Sequence, residues 1–82
     1  MELRDYLKKL TPNDRTLFAD RVGSSVGHLR NVGYGFRPCD PAMAVAIERE
    51  SRKQVTRQEL RPDDWQAIWP ELSRKRRTKA VA

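Results

Sequence analysis

Helix-breaking residues recur about every ten positions along the first two thirds of this chain, and that spacing limits what it can build. Thr11-Pro12, Gly23-Ser24-Ser25, Gly33-Tyr34-Gly35 with Pro38, Asp40-Pro41 and Pro62 leave intervals too short for long helices. Within each interval the apolar residues repeat at three and four positions, which is the period of a helix and not of a strand. Leu3, Tyr6, Leu7 and Leu10 mark a first helix, with Arg4, Asp5, Lys8 and Lys9 on its other side. Thr11 before Pro12 suits the start of a second, whose inward side is Leu17, Phe18, Ala19 and Val22 and whose end is Gly23. Ser24-Ser25 offers a cap for a short third helix carrying Val26, Leu29 and Val32.

Asp40-Pro41 opens a fourth helix, with Met43, Ala44, Ala46 and Ile47 as its buried stripe and Glu48 onwards turning to solvent. Gln54-Val55-Thr56 reads as a short extended stretch, and Thr56 with Glu59 matches a capping box that Pro62 terminates. Asp63 and Asp64 then suit the start of a last helix on which Trp65, Ile68, Trp69 and Leu72 fall at i, i+3, i+4 and i+7. The expected fold class is therefore all-α, one domain over residues 1–73.

Eighty-two residues leave no room for a separate substrate domain, and no run of apolar residues is long enough to span a membrane. The charged opening Met1-Glu2-Leu3-Arg4-Asp5 does not read as a signal peptide. Cys39 and His28 are the only residues of their kinds, so neither a disulfide nor a zinc site is expected, and an intracellular protein without cofactor is the default. His28 lacks a nearby acid or cysteine and Cys39 lacks a local histidine, which argues against catalysis at either. No paired acid and base or phosphate-binding glycine loop appears, and a non-enzyme is expected.

The distribution of charge is more informative than the net value of +6. All 11 acids and 12 of the 17 basic residues precede residue 74, leaving +1 there. Arg74, Lys75, Arg76, Arg77 and Lys79 make residues 74–82 a basic tail, expected to be a mobile arm for phosphate or a solubilising terminus. Residues 21–39 contain no acid and carry Arg21, Arg30 and Arg37, the first place to look for a polyanion-binding surface.

That window overlaps RTLFADRVGSSVGHLRNVGY, residues 15–34. A helix-turn-helix unit needs a small residue where its helices cross, a glycine at the turn, and apolar anchors behind the second helix. Ala19, Gly23 and the set Phe18, Val22, Leu29 and Val32 meet those needs, although an ordinary αα corner would share them. Double-stranded DNA is the expected partner; RNA is disfavoured because no base-stacking sheet or RNA loop motif is visible.

The helix pair and the following Phe36-Arg37-Pro38 turn resemble the Cro/CI-type helix-turn-helix regulators of phages. Met43 to Glu48, Val55-Thr56-Arg57-Gln58-Glu59-Leu60-Arg61-Pro62-Asp63 and Trp65 to Leu72 are similar to the YdaS-like antitoxins and Cro-like prophage regulators, so that the resemblance covers roughly residues 3–72. It implies a compact five-helix bundle of the lambda-repressor type, a bacterial or phage origin, and a cytoplasmic, nucleoid-associated protein. Two departures are Ser24, where the family often has valine, isoleucine or threonine, and Gly27, which lowers the third helix's intrinsic stability by roughly 1 kcal/mol.

The family pattern puts base-facing positions at Val26, Gly27 and Asn31, with Ser25 and Arg30 nearby. Val26 suits a thymine methyl group, Asn31 a bidentate pair with adenine, and Arg30 either guanine or phosphate, while Gly27 offers only close approach. Arg15, Arg21, Ser24, His28, Tyr34 and Arg37 surround this helix and are assigned to phosphate or sugar, where contacts set register and affinity. The resemblance further implies a homodimer on a palindromic operator, or an antitoxin whose toxin or other protein partner docks on the Trp65, Ile68, Trp69 and Leu72 face. That face has a plainer reading as core, and an interaction module with an incidental basic surface is a third possibility.

Overall fold

The computed structural model describes residues 1–73; the basic tail, residues 74–82, lies outside the described residues. Helix α1 (Leu3–Lys9) ends before Pro12, and α2 (Pro12–Val22) begins there, with the Thr11 hydroxyl accepting the Asp14 N–H at 3.1 Å. Gly23 closes α2 in the left-handed conformation, φ 84°, which a side chain would strain. The Gly23 and Ser24 N–H groups both donate to the Ala19 carbonyl, at 3.0 and 2.9 Å. After this turn Ser25 caps α3 (Val26–Gly33) by accepting the His28 N–H at 3.1 Å, and Asp40 caps α4 (Pro41–Glu50) through the Met43 N–H at 3.0 Å.

The remainder is built from shorter pieces: α5 (Arg57–Leu60), held by the capping box of Thr56 and Glu59, and α6 (Trp65–Ile68). Residues 70–73 are helical again. The described residues are thus all helical and turn, with no strand among them, but the five-helix count is not met. The last helix expected over Trp65 to Leu72 is broken at Trp69, φ −126° and ψ 67°, because a residue before proline is pushed out of the helical region and Pro70 follows. Of the stretch Gln54-Val55-Thr56, Thr56 is extended as the cap of α5, but Gln54 and Val55 bend into a turn. Arg52 and Lys53 take positive φ of 57° and 67°, and the Ser51 hydroxyl accepts the Val55 N–H at 3.1 Å, folding 51–55 into a tight turn that buries Val55.

The core collects Leu3, Tyr6 and Leu7 from α1, Phe18 and Ala19 from α2, Leu29 from α3, Ala44 and Ile47 from α4, and then Val55 and Trp69. The Tyr6 and Phe18 rings meet tilted, centroids 5.1 Å apart. Leu17, read as an inward residue, is instead 43% exposed. Glu48, expected at the solvent, is buried and paired: Arg57 Nε donates to both its oxygens, at 3.1 and 3.0 Å, and the guanidinium lies 5.2 Å from the Trp69 ring centroid. This cluster ties α4 and α5 to the residue that interrupts the C-terminal helix.

Candidate nucleic-acid interface

An eight-residue helix cannot persist alone in water, so α3 is held by its packing and by its cap. Leu29 is fully buried, Val32 and Val26 are partly buried against the core, and Gly33 lies against α1. A Cβ at Gly33 would stand 3.1 Å from the Arg4 backbone nitrogen, closer than side chains normally approach. With that side committed inward, the 3.6-residue period turns Gly27, Arg30, Asn31 and Tyr34 outward together, and all four are exposed.

Of the residues assigned to base edges, the structure therefore brings Gly27, Arg30 and Asn31 onto one open face. Ser25 is exposed at its end but its hydroxyl is engaged as the helix cap. Val26 is half-buried and packs on the core, at the margin of that face.

The residues assigned to the backbone are more scattered in their surroundings. Arg15 is half-buried and its Nε donates to the Leu7 carbonyl at 2.7 Å, fastening α2 to the end of α1. Ser24 and His28 are half-buried, whereas Arg21, Tyr34 and Arg37 are exposed. Among the described residues no ion pair involves Arg15, Arg21, Arg30 or Arg37. The Phe36 and Arg37 N–H groups both donate to the Asn31 carbonyl, at 2.8 and 3.3 Å, folding the turn after α3 back beside it. Phe36 is 76% exposed and stacks on Tyr34 at 6.4 Å between centroids. Phe36, named in the sequence only as part of the Phe36-Arg37-Pro38 turn, has no site role there; a large aromatic in a turn with no apolar periodicity is the available signal.

The C-terminal face is occupied differently. Trp69 is in the core at 8% exposure, and Trp65, Ile68 and Leu72 are partly buried against it.

Comparison with models of known protein families gives no match. Against curated proteins, the chain is 31% identical over 61 residues to a prophage transcriptional regulatory protein of Escherichia coli (strain K12), an alignment covering 74% of this chain and 92% of that protein. The chain belongs to this family of prophage transcriptional regulators.

In this prophage regulator no helix among the described residues is long and apolar enough to cross a membrane. Nor do the described residues place three or more His, Cys, Asp or Glu side chains together as a metal site. Cys39 of the regulator is buried beside the Arg61–Asp64 pair, with Arg61 Nη1 donating to the Cys39 carbonyl. Burial first, and then the Asp40 charge, push its thiol from 9.0 up to about 11 against the opposing pull of Arg61. The folded protein holds that proton more tightly than the unfolded chain. The resulting stability is complete below about pH 9 and lost as the pH rises towards about 11. At pH 8 the native regulator is expected to resist iodoacetamide while the urea-unfolded chain is alkylated rapidly; equal rates would show that Cys39 is accessible.

Proposed function

We propose that this prophage regulator is a sequence-specific DNA-binding repressor, Cro-like in its action, that acts without catalysis. Two copies would bind a palindromic operator whose half-sites lie one helical turn apart, each placing α3 in the major groove and occluding polymerase. The observation that carries this reading is the open face of Gly27, Arg30 and Asn31 on a helix anchored by Leu29 and flanked by a chain segment without acids. Asn31 has the two-sided donor and acceptor that adenine requires, and Arg30 can reach guanine or phosphate. Arg21 and Arg37, exposed and without ion pairs among the described residues, supply backbone attraction on either side. For self-association, Phe36 is the exposed aromatic that a second copy would cover, since Trp69 is taken up by the core.

The alternative, an antitoxin docking a toxin on the Trp65 to Leu72 face, is weakened by how much of that face already packs inward. A cytoplasmic, nucleoid-associated location follows from the proposed role.

The test is binding to DNA from upstream of its own gene against an equal-length random duplex at about 150 mM salt, where the salt matters because phosphate contacts dominate non-specific affinity. A preference above roughly 100-fold is expected. Asn31→Ala is expected to reduce that preference by roughly 5- to 150-fold, the worth of one bidentate base contact. Equal binding of both duplexes would overturn α3 as the reader of that site.

A further inference from the structure

Beside the open face of α3 lies a cleft of about 220 Å³ between α1, the start of α2 and α3. Its walls carry Arg4 and Lys8 from α1, Arg15 from α2, Arg30 from α3 and Tyr34, which caps the end of α3. Four cations converge there, and among the described residues the one carboxylate paired with any of them is Glu2, 3.2 Å from Arg4 Nε. Both members of that pair are well exposed, so water and salt screen it and another anion can displace it.

The cleft's place relative to the helix periodicity identifies what it faces. Val26 and Arg30, one turn apart on α3, and Tyr34 just past its end run from the helix's half-buried margin onto its open face. A helix lying in a major groove has a phosphodiester strand running along each flank, because the groove is only about 12 Å wide. The strand on the α1 side would pass over this cleft.

We propose that the cleft seats a backbone phosphate of the duplex, with Arg4 and Lys8 making α1 a DNA-contacting helix and the Tyr34 hydroxyl donating at the rim. This rests on the reading of α3 as the DNA-facing helix. Arg15 serves as the floor: its Nε is held by the Leu7 carbonyl, which fixes the guanidinium plane. A second basic concavity among the described residues, around Val45, Arg49, Arg52, Lys53 and Arg57, is a poorer phosphate site, since Glu48 pairs with Arg57 and Glu50 with Arg49.

The experiment is a salt titration of affinity for a mixed-sequence duplex, comparing the parent with Arg4→Gln/Lys8→Gln. Loss of these two cations should lower the slope of log K against log salt by about 1 to 2, and weaken binding roughly 10- to 30-fold at about 150 mM salt. Preference for the upstream DNA over random duplex should fall far less than it does in Asn31→Ala. Arg52→Gln/Lys53→Gln, which removes the same charge elsewhere, should leave the slope near the parent's, and the charge-preserving Arg4→Lys/Lys8→Arg should restore it. An unchanged slope in Arg4→Gln/Lys8→Gln, or an equal drop in the control, overturns the seat while leaving the α3 reading intact. A parent that binds no duplex at all overturns the α3 reading itself. Inorganic phosphate titrated by NMR separates the sources: saturable shifts at Arg4 and Lys8 with an unchanged duplex slope would assign the cleft to a soluble phosphate instead.

Discussion

Gly27→Ala is expected to make the protein more stable and a weaker DNA binder. Glycine inside a helix costs roughly 0.5 to 1 kcal/mol relative to alanine, because it surrenders more backbone freedom on folding. Such a cost is tolerated within a fold when a side chain would collide or when φ is positive, and neither holds here. Gly27 is exposed, and a Cβ built on it meets nothing within 4 Å. The alanine variant should melt about 3 to 6 °C higher, from the scaling of melting temperature with stability in domains of this size. The open space above Gly27 is on the face shared with Arg30 and Asn31, so whatever lies against that face can approach the backbone itself. Filling it should weaken binding to the upstream DNA by roughly tenfold or more, equivalent to a lost contact of about 1.4 kcal/mol. Calorimetry and a binding titration on the same preparation read both signs; a higher melting temperature with unaltered affinity would sink close approach at Gly27.

Leu29→Ala is expected to cost about 3 to 4 kcal/mol, as large-to-small changes at fully buried leucines do. Leu29 has no exposed surface and is the one residue of α3 in the buried core. A small domain often has only about 5 kcal/mol in total, so the variant should be partly unfolded at 37 °C and show a much lower urea midpoint. DNA binding should fall with it, because the eight residues of α3 have no means of staying helical once undocked. A cost below about 1.5 kcal/mol would mean that the site collapses around the smaller side chain and that Leu29 is not what holds α3.

How far these features are legible without coordinates depends on the length of the signal. Helices α2 to α4 each carry a breaker or cap at the start, and Thr11, Ser25 and Asp40 do what their side chains predict. The C-terminal third is harder because its decisive residues act at one position. Trp65, Ile68, Trp69 and Leu72 keep perfect helical spacing across a break that Pro70 imposes on Trp69 alone. The turn at 51–55 uses arginine and lysine at left-handed positions, where a reader looks for glycine or asparagine, and its cause is the Ser51 hydroxyl bonding to Val55. At the candidate site, the open face of α3 follows from periodicity once Leu29 is taken as the anchor. Val26 and Arg15 do not, since their packing and hydrogen bonding depend on α1. Arg4 and Lys8 read as ordinary solvated positions of an amphipathic helix, and only the three-dimensional approach of α1 to α3 places them beside Arg30.

That approach depends on residue 33 having no side chain, and it does more than save space. With nothing between Gly33 and the Arg4 backbone, α1 and α3 are braced against each other at a fixed separation, like the two arms of a calliper. In the proposed complex one arm would bring cations to the sugar-phosphate strand and the other would bring side chains to the bases. A duplex fits both at once only where its groove has the matching width, and that width varies with sequence at steps no side chain touches. Rigidity at a single glycine would let this regulator discriminate among sites by DNA shape as well as by base edges.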